Sequence, residues 1–121
     1  MNEAELAMEN GEQTHRVLSL LGIARRAGEL IFGQDQVIGA LKKKKRLFIV
    51  WTADCSQAVI RKIEPLLEKR SISCVLKDVS RENLGRSLGV QCAQIAALPV
   101  EGGFAKKLTE LLHSGGRCEY E

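Results

Sequence analysis

Two rhythms of apolar residues alternate along this chain, one with the period of a helix and one with the density of a buried strand. Val17, Leu18, Leu21 and Ala24 recur at helical spacing. They predict a helix from about Thr14 to Ala27, capped by Thr14 and ended at Gly28. Leu30-Ile31-Phe32 is a short apolar run that predicts a buried strand, stopped by Gly33. A second helix is predicted from Gln34 to about Lys44, with Val37, Ile38 and Leu41 facing inward. Leu47 to Thr52 reads Leu-Phe-Ile-Val-Trp-Thr. A run apolar on both faces predicts a central, partly parallel strand.

The same alternation continues to the C-terminus. Asp54-Cys55-Ser56-Gln57 has the spacing of a capping box, with Asp54 as cap and Gln57 three residues on. The helix behind it buries Ile60, Ile63, Leu66 and Leu67, and Pro65 bends or shortens it. Ser73 to Leu76 predicts a third strand. Ser80 caps a short helix ending near Gly85 or Leu88, and Gln94 to Leu98 predicts a fourth strand. Gly102 and Gly103 precede a last helix over Phe104 to His113, with Leu108, Leu111 and Leu112 on one face. Helices alternating with strands imply an α/β protein, its sheet covered by helices on both sides. Residues 1–13 lack clear periodicity and are expected to form a disordered acidic tail, 14–113 one domain, and 114–121 a frayed end.

Composition sharpens this picture in two ways. Hydrophobic residues make up 45% of the chain and aromatics only 4%, so an aliphatic core must carry the fold. The net charge of +3 hides an asymmetry. Four Glu and no basic residue lie in 1–13, while 14–113 holds 17 basic against 9 acidic residues, an excess of eight. A compact domain with that excess attracts polyanions through its long-range field; a solvated basic surface without a partner fits the charge equally well. No apolar run approaches the roughly 20 residues that span a bilayer. Nothing at the N-terminus resembles a secretion signal, so no membrane partner and a cytoplasmic location are expected. The cysteines, at 55, 74, 92 and 118, lack metal-ligand spacing, so reduced thiols and no metal are expected.

Three segments carry candidate chemistry. At Phe32-Gly33-Gln34-Asp35-Gln36, a strand passes through glycine into a helix. Unpaired amides and a partial positive charge gather at such a helix start, and glycine permits close approach of a nucleic-acid backbone. Asp35 accepts hydrogen bonds and Gln36 both donates and accepts, so the pair can read base edges or simply cap the helix. Lys42-Lys43-Lys44-Lys45-Arg46 closes the same helix and can contact phosphates or complement the helix's negative end. Gly89-Val90-Gln91-Cys92 precedes the last strand and can pack on a splayed-out base or form a plain turn.

Catalytic readings are weaker. His15 and His113 are near opposite ends, and neither lies beside a plausible nucleophile in sequence. There is no phosphate loop and no Gly-x-Gly-x-x-Gly. Cys55, near a predicted helix start that can lower a thiol pKa, is the one candidate nucleophile.

The three segments share one order with a known family. Leu21-Gly22-Ile23-Ala24-Arg25-Arg26-Ala27-Gly28, Gly33 with its helix, the apolar central strand, Ala53-Asp54-Cys55-Ser56, Asn83-Leu84-Gly85, Gly89-Val90 and Gly103-Phe104-Ala105-Lys106-Lys107-Leu108 follow one another at matching spacing. From about Val17 to Leu112 the chain resembles the kink-turn RNA-binding superfamily of ribosomal proteins L7Ae and L30e, in its bacterial YlxQ-like branch. The resemblance implies a three-layer α-β-α sandwich with a four-stranded mixed sheet. It implies a non-catalytic, monomeric protein whose partner is ribosomal or other structured RNA, with no cofactor and no small-molecule substrate. The RNA site it implies comprises Gly33, Gln34, Asp35, Gln36, Lys42, Lys43, Gly89, Val90, Gln91 and Cys92. In kink-turn binders the junction carries Asn then Glu, which read guanines of tandem sheared G·A pairs, and a Lys three residues later. Here Asp35, Gln36 and Gly39 stand in those places, which leaves open a protein-interaction module on the same fold.

Overall fold

The computed structural model describes residues 3–67 and 71–115. Its elements run α1 (Glu3–Arg26), β1 (Ile31–Phe32), α2 (Gln34–Lys42), β2 (Leu47–Thr52), α3 (Gln57–Ile63) with a 3-10 turn at Glu64–Leu66, β3 (Ile72–Leu76), α4 (Arg81–Leu88), β4 (Ile95–Pro99) and α5 (Gly103–Gly115). The sheet order is β1-β4-β2-β3. β2 runs parallel to β3, pairing Val50 with Cys74. β4 runs antiparallel to both β2 and β1, pairing Val50 with Ala96 and Phe32 with Ala96. The sheet is therefore mixed, and β2 is central, with all six residues buried.

Two aliphatic cores flank the sheet. On one face Phe48, Val50, Ala96 and Leu98 pack with Val17, Leu21 and Ala24 of α1, Leu84 and Leu88 of α4, and Leu108 and Leu112 of α5. On the other, Ile49, Trp51, Ile95 and Ala97 pack with Val37 and Leu41 of α2 and Val59 and Ile63 of α3. This is the three-layer α-β-α sandwich. Successive side chains of β2 point to opposite faces, so one strand feeds both cores.

Three details differ from the sequence expectation. The first helix begins at Glu3, not Thr14. Ala4, Glu5, Leu6, Ala7, Met8 and Glu9 are strong helix formers, and their propensity outweighs the missing periodicity. The acidic stretch 3–13 is therefore helical, not an irregular tail; of the expected C-terminal tail, 116–121 lie outside the described residues. The cap of α3 is Ser56, whose hydroxyl accepts from the Ala58 amide at 3.1 Å. Asp54 reaches across the fold instead, as described below. Pro65, as expected, shortens the helix: it falls in the 3-10 turn that follows α3 at Gln57–Ile63. Finally, Cys74, buried on β3, is disulfide-bonded, whereas Cys55 and Cys92 are free. Long, irregular spacing gives no sign of such a bond, because only folding decides which Cα atoms approach closely enough.

Candidate functional site

Gly33 joins β1 to α2 with φ 89° and ψ 149°. That conformation lies beside a region open essentially to glycine alone. Its amide donates to the carbonyl of Ile95 at 3.0 Å, and its carbonyl accepts from Val37 at 3.2 Å. No side chain caps α2, so its opening amides at Gln34, Asp35 and Gln36 lack helical partners. The Gln36 side-chain oxygen accepts from the Phe32 amide at 3.4 Å, leaving its two N–H donors uncommitted by that bond. Phe32, Gly33, Gln34, Asp35 and Gln36 together line an open hollow of about 450 Å³.

The Gly89 loop is built by α4. Ser80 caps this helix, its hydroxyl accepting from Asn83 N at 3.1 Å. Ser80→Ala is expected to lower stability by about 1 kcal/mol, measured by urea unfolding. At the far end Gly89 adopts φ 79°, a left-handed C-cap. The Val90 amide then donates to Gly85 O at 2.8 Å, and Ala93 N donates to Arg81 O at 3.0 Å. Gly85 leaves no room for a side chain: a Cβ there would lie 2.6 Å from Cys92 Cα. The loop is thus clamped to the flank of α4.

Asp54 supplies a second clamp. Its carboxylate accepts from Arg81 N at 2.9 Å and faces the Arg81 guanidinium, whose Nη2 donates to Asp54 O at 2.7 Å. Burial pushes the Asp54 carboxyl up, yet it sits below its ordinary value of 3.8. The nearby Thr52 hydroxyl, which completes no full hydrogen bond of its own, the Arg81 amide and the Arg81 charge outweigh burial. It therefore stays ionised through neutral pH, so the tether is intact there. The same surroundings act oppositely on Cys55. Burial pushes its thiol above the ordinary 9.0, the Arg81 charge lowers it and Asp54 raises it again. Cys55, the candidate nucleophile, is thus held toward its neutral thiol form, chiefly by burial.

The ten expected site residues do not all lie together. Gly33, Gln34, Asp35 and Gln36 share the hollow. Gly89 lies beside it: the Arg25 guanidinium stands over the Phe32 ring, 5.2 Å from its centroid, with Nη1 3.6 Å from where a Gly89 Cβ would be. Val90 is half-buried against the core formed with α1, α4 and α5. Gln91 and Cys92 turn away and line a separate cleft of about 740 Å³ with Asp54, Arg81 and Glu82. Lys42 and Lys43 close α2, about 12 Å from Gln34 at 1.5 Å rise per residue. Lys44 there takes φ 66°, and Lys45 N donates to Ala40 O at 3.2 Å, ending the helix sharply. Arg25 was not among the expected site residues; its signals in the chain were its place in the family-like Leu21–Gly28 segment and a basic last turn in α1.

Residues 15–109 match the Ribosomal protein L7Ae/L30e/S12e/Gadd45 family. The chain belongs to this family. It is 32% identical over 93 residues to the RNA-binding protein YlxQ of Bacillus subtilis (strain 168), covering 77% of this chain and 91% of that protein. It is 25% identical to the RNA-binding protein YlxQ of Enterococcus faecium, covering 85% and 97%. Among solved structures, a Bacillus halodurans protein of unknown function superposes with a TM-score of 0.69 at 26% identity, covering 80% of this chain and 96% of that one. A Giardia lamblia 15.5kD RNA binding protein superposes at 0.65 with 16% identity, covering 95% and 90%, a likeness of fold. The chain is thus an L7Ae-family protein of the YlxQ-like branch. No helix among the described residues is long and apolar enough to cross a membrane.

Proposed function

We propose that this L7Ae-family chain is a non-catalytic RNA-binding protein that holds a structured, kink-turn-like or ribosomal RNA against the Gly33–Gln36 hollow and the adjoining Gly89 loop. The observation that carries the reading is the adjacency of these two segments. A backbone bond joins Gly33 to Ile95, and Arg25 spans from Phe32 to Gly89. The hollow is open, and unpaired amides face a position where a phosphate or base edge can sit. Relatives named as RNA-binding proteins support the same class of partner.

Asp35 and Gln36 bring a carboxylate and an amide, the two functions that kink-turn binders use, in reverse order. A carboxylate accepts from base N–H groups and an amide addresses both kinds of edge. Val90 has part of its surface committed to the core, leaving the remainder for an unstacked base. Lys42 and Lys43 are exposed at the far end of α2 and serve phosphates of the flanking duplex. Replacing both with Gln is expected to weaken binding uniformly across sequences and flatten the salt slope by at most about two units. An unchanged slope in a titration across salt concentrations removes those lysines from the interface.

Crosslinking in cells followed by sequencing of the bound RNA tests the reading and names the target. Enrichment of one structured RNA is the expected result; background recovery of all RNAs sinks it. The changed residues at 35, 36 and 39 favour one rival, a protein-interaction module that has lost RNA. A protein partner recovered from lysate equally well after nuclease digestion supports that rival.

A further inference from the structure

Within the proposed RNA site, one cation has a place that neither charge nor spacing assigns to it. We propose that Arg25, seated on the Phe32 ring between the Gly33 hollow and the Gly89 loop, grips a phosphate where the RNA strand crosses from one to the other. This rests on the RNA-binding reading and names the contact that joins its two halves.

The geometry favours a ligand role over a purely structural one. Arg25 lies in the last turn of α1, where a cation can complement the helix's negative end. Its guanidinium is instead directed sideways, 5.2 Å from the Phe32 centroid, within the range of a cation–π contact. Nη1 lies 3.6 Å from the position of a Gly89 Cβ, an ordinary contact distance that places the cation directly beside the Gly89 loop. Among the described residues no carboxylate pairs with Arg25, and no acceptor takes its side-chain N–H groups. Arg25 is also exposed, so its charge is not spent on the fold's interior.

The planar guanidinium suits this position. It lies over the ring, 5.2 Å from the centroid, and carries five N–H donors in a fixed fork suited to two-point contact with phosphate oxygens. A bent strand brings the phosphates of its two arms together, and an unpaired cation at the bend meets the highest anion density. Lysine keeps the charge but has neither the flat face nor the paired donors.

Binding of wild type, Arg25→Gln, Arg25→Lys and Phe32→Leu is measured across salt concentrations on an RNA duplex with a bulge flanked by tandem sheared G·A pairs. Thermal melts accompany each variant. Arg25→Gln is expected to bind about tenfold more weakly and to lower the slope of log K against log salt by roughly 0.7–0.9 unit, one phosphate contact. Arg25→Lys and Phe32→Leu are expected to keep the slope but bind several-fold more weakly. Melting temperatures of the Arg25 variants are expected to match wild type. Wild-type affinity and slope in Arg25→Gln overturn the inference and leave the RNA reading standing. Loss of affinity without change of slope also overturns it, since that marks a structural role. Absence of wild-type binding to this RNA, with none recovered in the cellular crosslinking, removes the reading and the inference together.

Discussion

Gly85→Ala is expected to lower stability by about 2 kcal/mol and to displace the Gly89–Cys92 loop. Two effects of opposite sign meet at this position. Alanine is the better helix former by about 1 kcal/mol, so propensity favours the substitution. Space opposes it more strongly. The new Cβ would stand 2.6 Å from Cys92 Cα, 2.7 Å from Cys92 N and 2.9 Å from Gln91 C. All three are main-chain atoms, which no rotamer change can clear, so the cost falls at or beyond the upper end of the roughly 1–3 kcal/mol typical of overpacking. The loop must swing away from α4, straining the Val90–Gly85 and Ala93–Arg81 backbone bonds. In a domain of this size, 2 kcal/mol corresponds to a melting temperature lower by roughly 10 °C. Urea unfolding should show a lower midpoint at unchanged m. A variant that melts at or above wild type would show that the loop is free to move, and the clamp is not real.

The second large effect is expected at Gly33→Val. A Cβ at this position meets nothing within 4 Å, so the surroundings offer no objection. The cost lies in the backbone alone: φ 89° and ψ 149° place a branched side chain in a region that costs about 3 kcal/mol. The chain can hold that conformation at the full cost, or swing to negative φ and pull the Gly33 amide off Ile95. The second path turns the opening amides of α2 away from the hollow. Either way stability is expected to fall by about 2–3 kcal/mol. RNA affinity is expected to fall at least tenfold, since both the amide cradle and the open approach are lost. Equilibrium unfolding and RNA titration on the same preparation check both. Gly33→Ala, with a smaller side chain and the same backbone demand, should lie between. Wild-type affinity in the valine variant would detach the junction from the site.

The two glycines differ in how they show themselves in the chain. Gly33 follows an apolar strand and precedes a helical pattern, so its role as a junction is legible without coordinates. Gly85 sits inside the short α4, where sequence offers no reason for glycine and even suggests a helix end. Its reason is a neighbour seven residues later that folds back against it. The caps divide in the same way. Ser80 behaves as local spacing predicts. Asp54 has the spacing of a cap and yet serves Arg81, 27 residues on, because Ser56 is nearer the first turn of α3.

What local pattern alone determined was the order and kind of the elements, the buried central strand, the basic excess of residues 14–113 and the Gly33 junction. Each of these follows from side-chain periodicity or backbone preference over a few consecutive residues, which a linear reading can weigh. Tertiary structure alone decided that Gln91 and Cys92 turn away from Gly33 to Asp54, and that Lys42 and Lys43 stand a helix length from the hollow. It also decided that Cys55 is raised rather than activated, and that Arg25 bridges Phe32 and Gly89. These depend on the direction of a side chain after distant segments have packed, and one-dimensional spacing carries no information about direction across the fold.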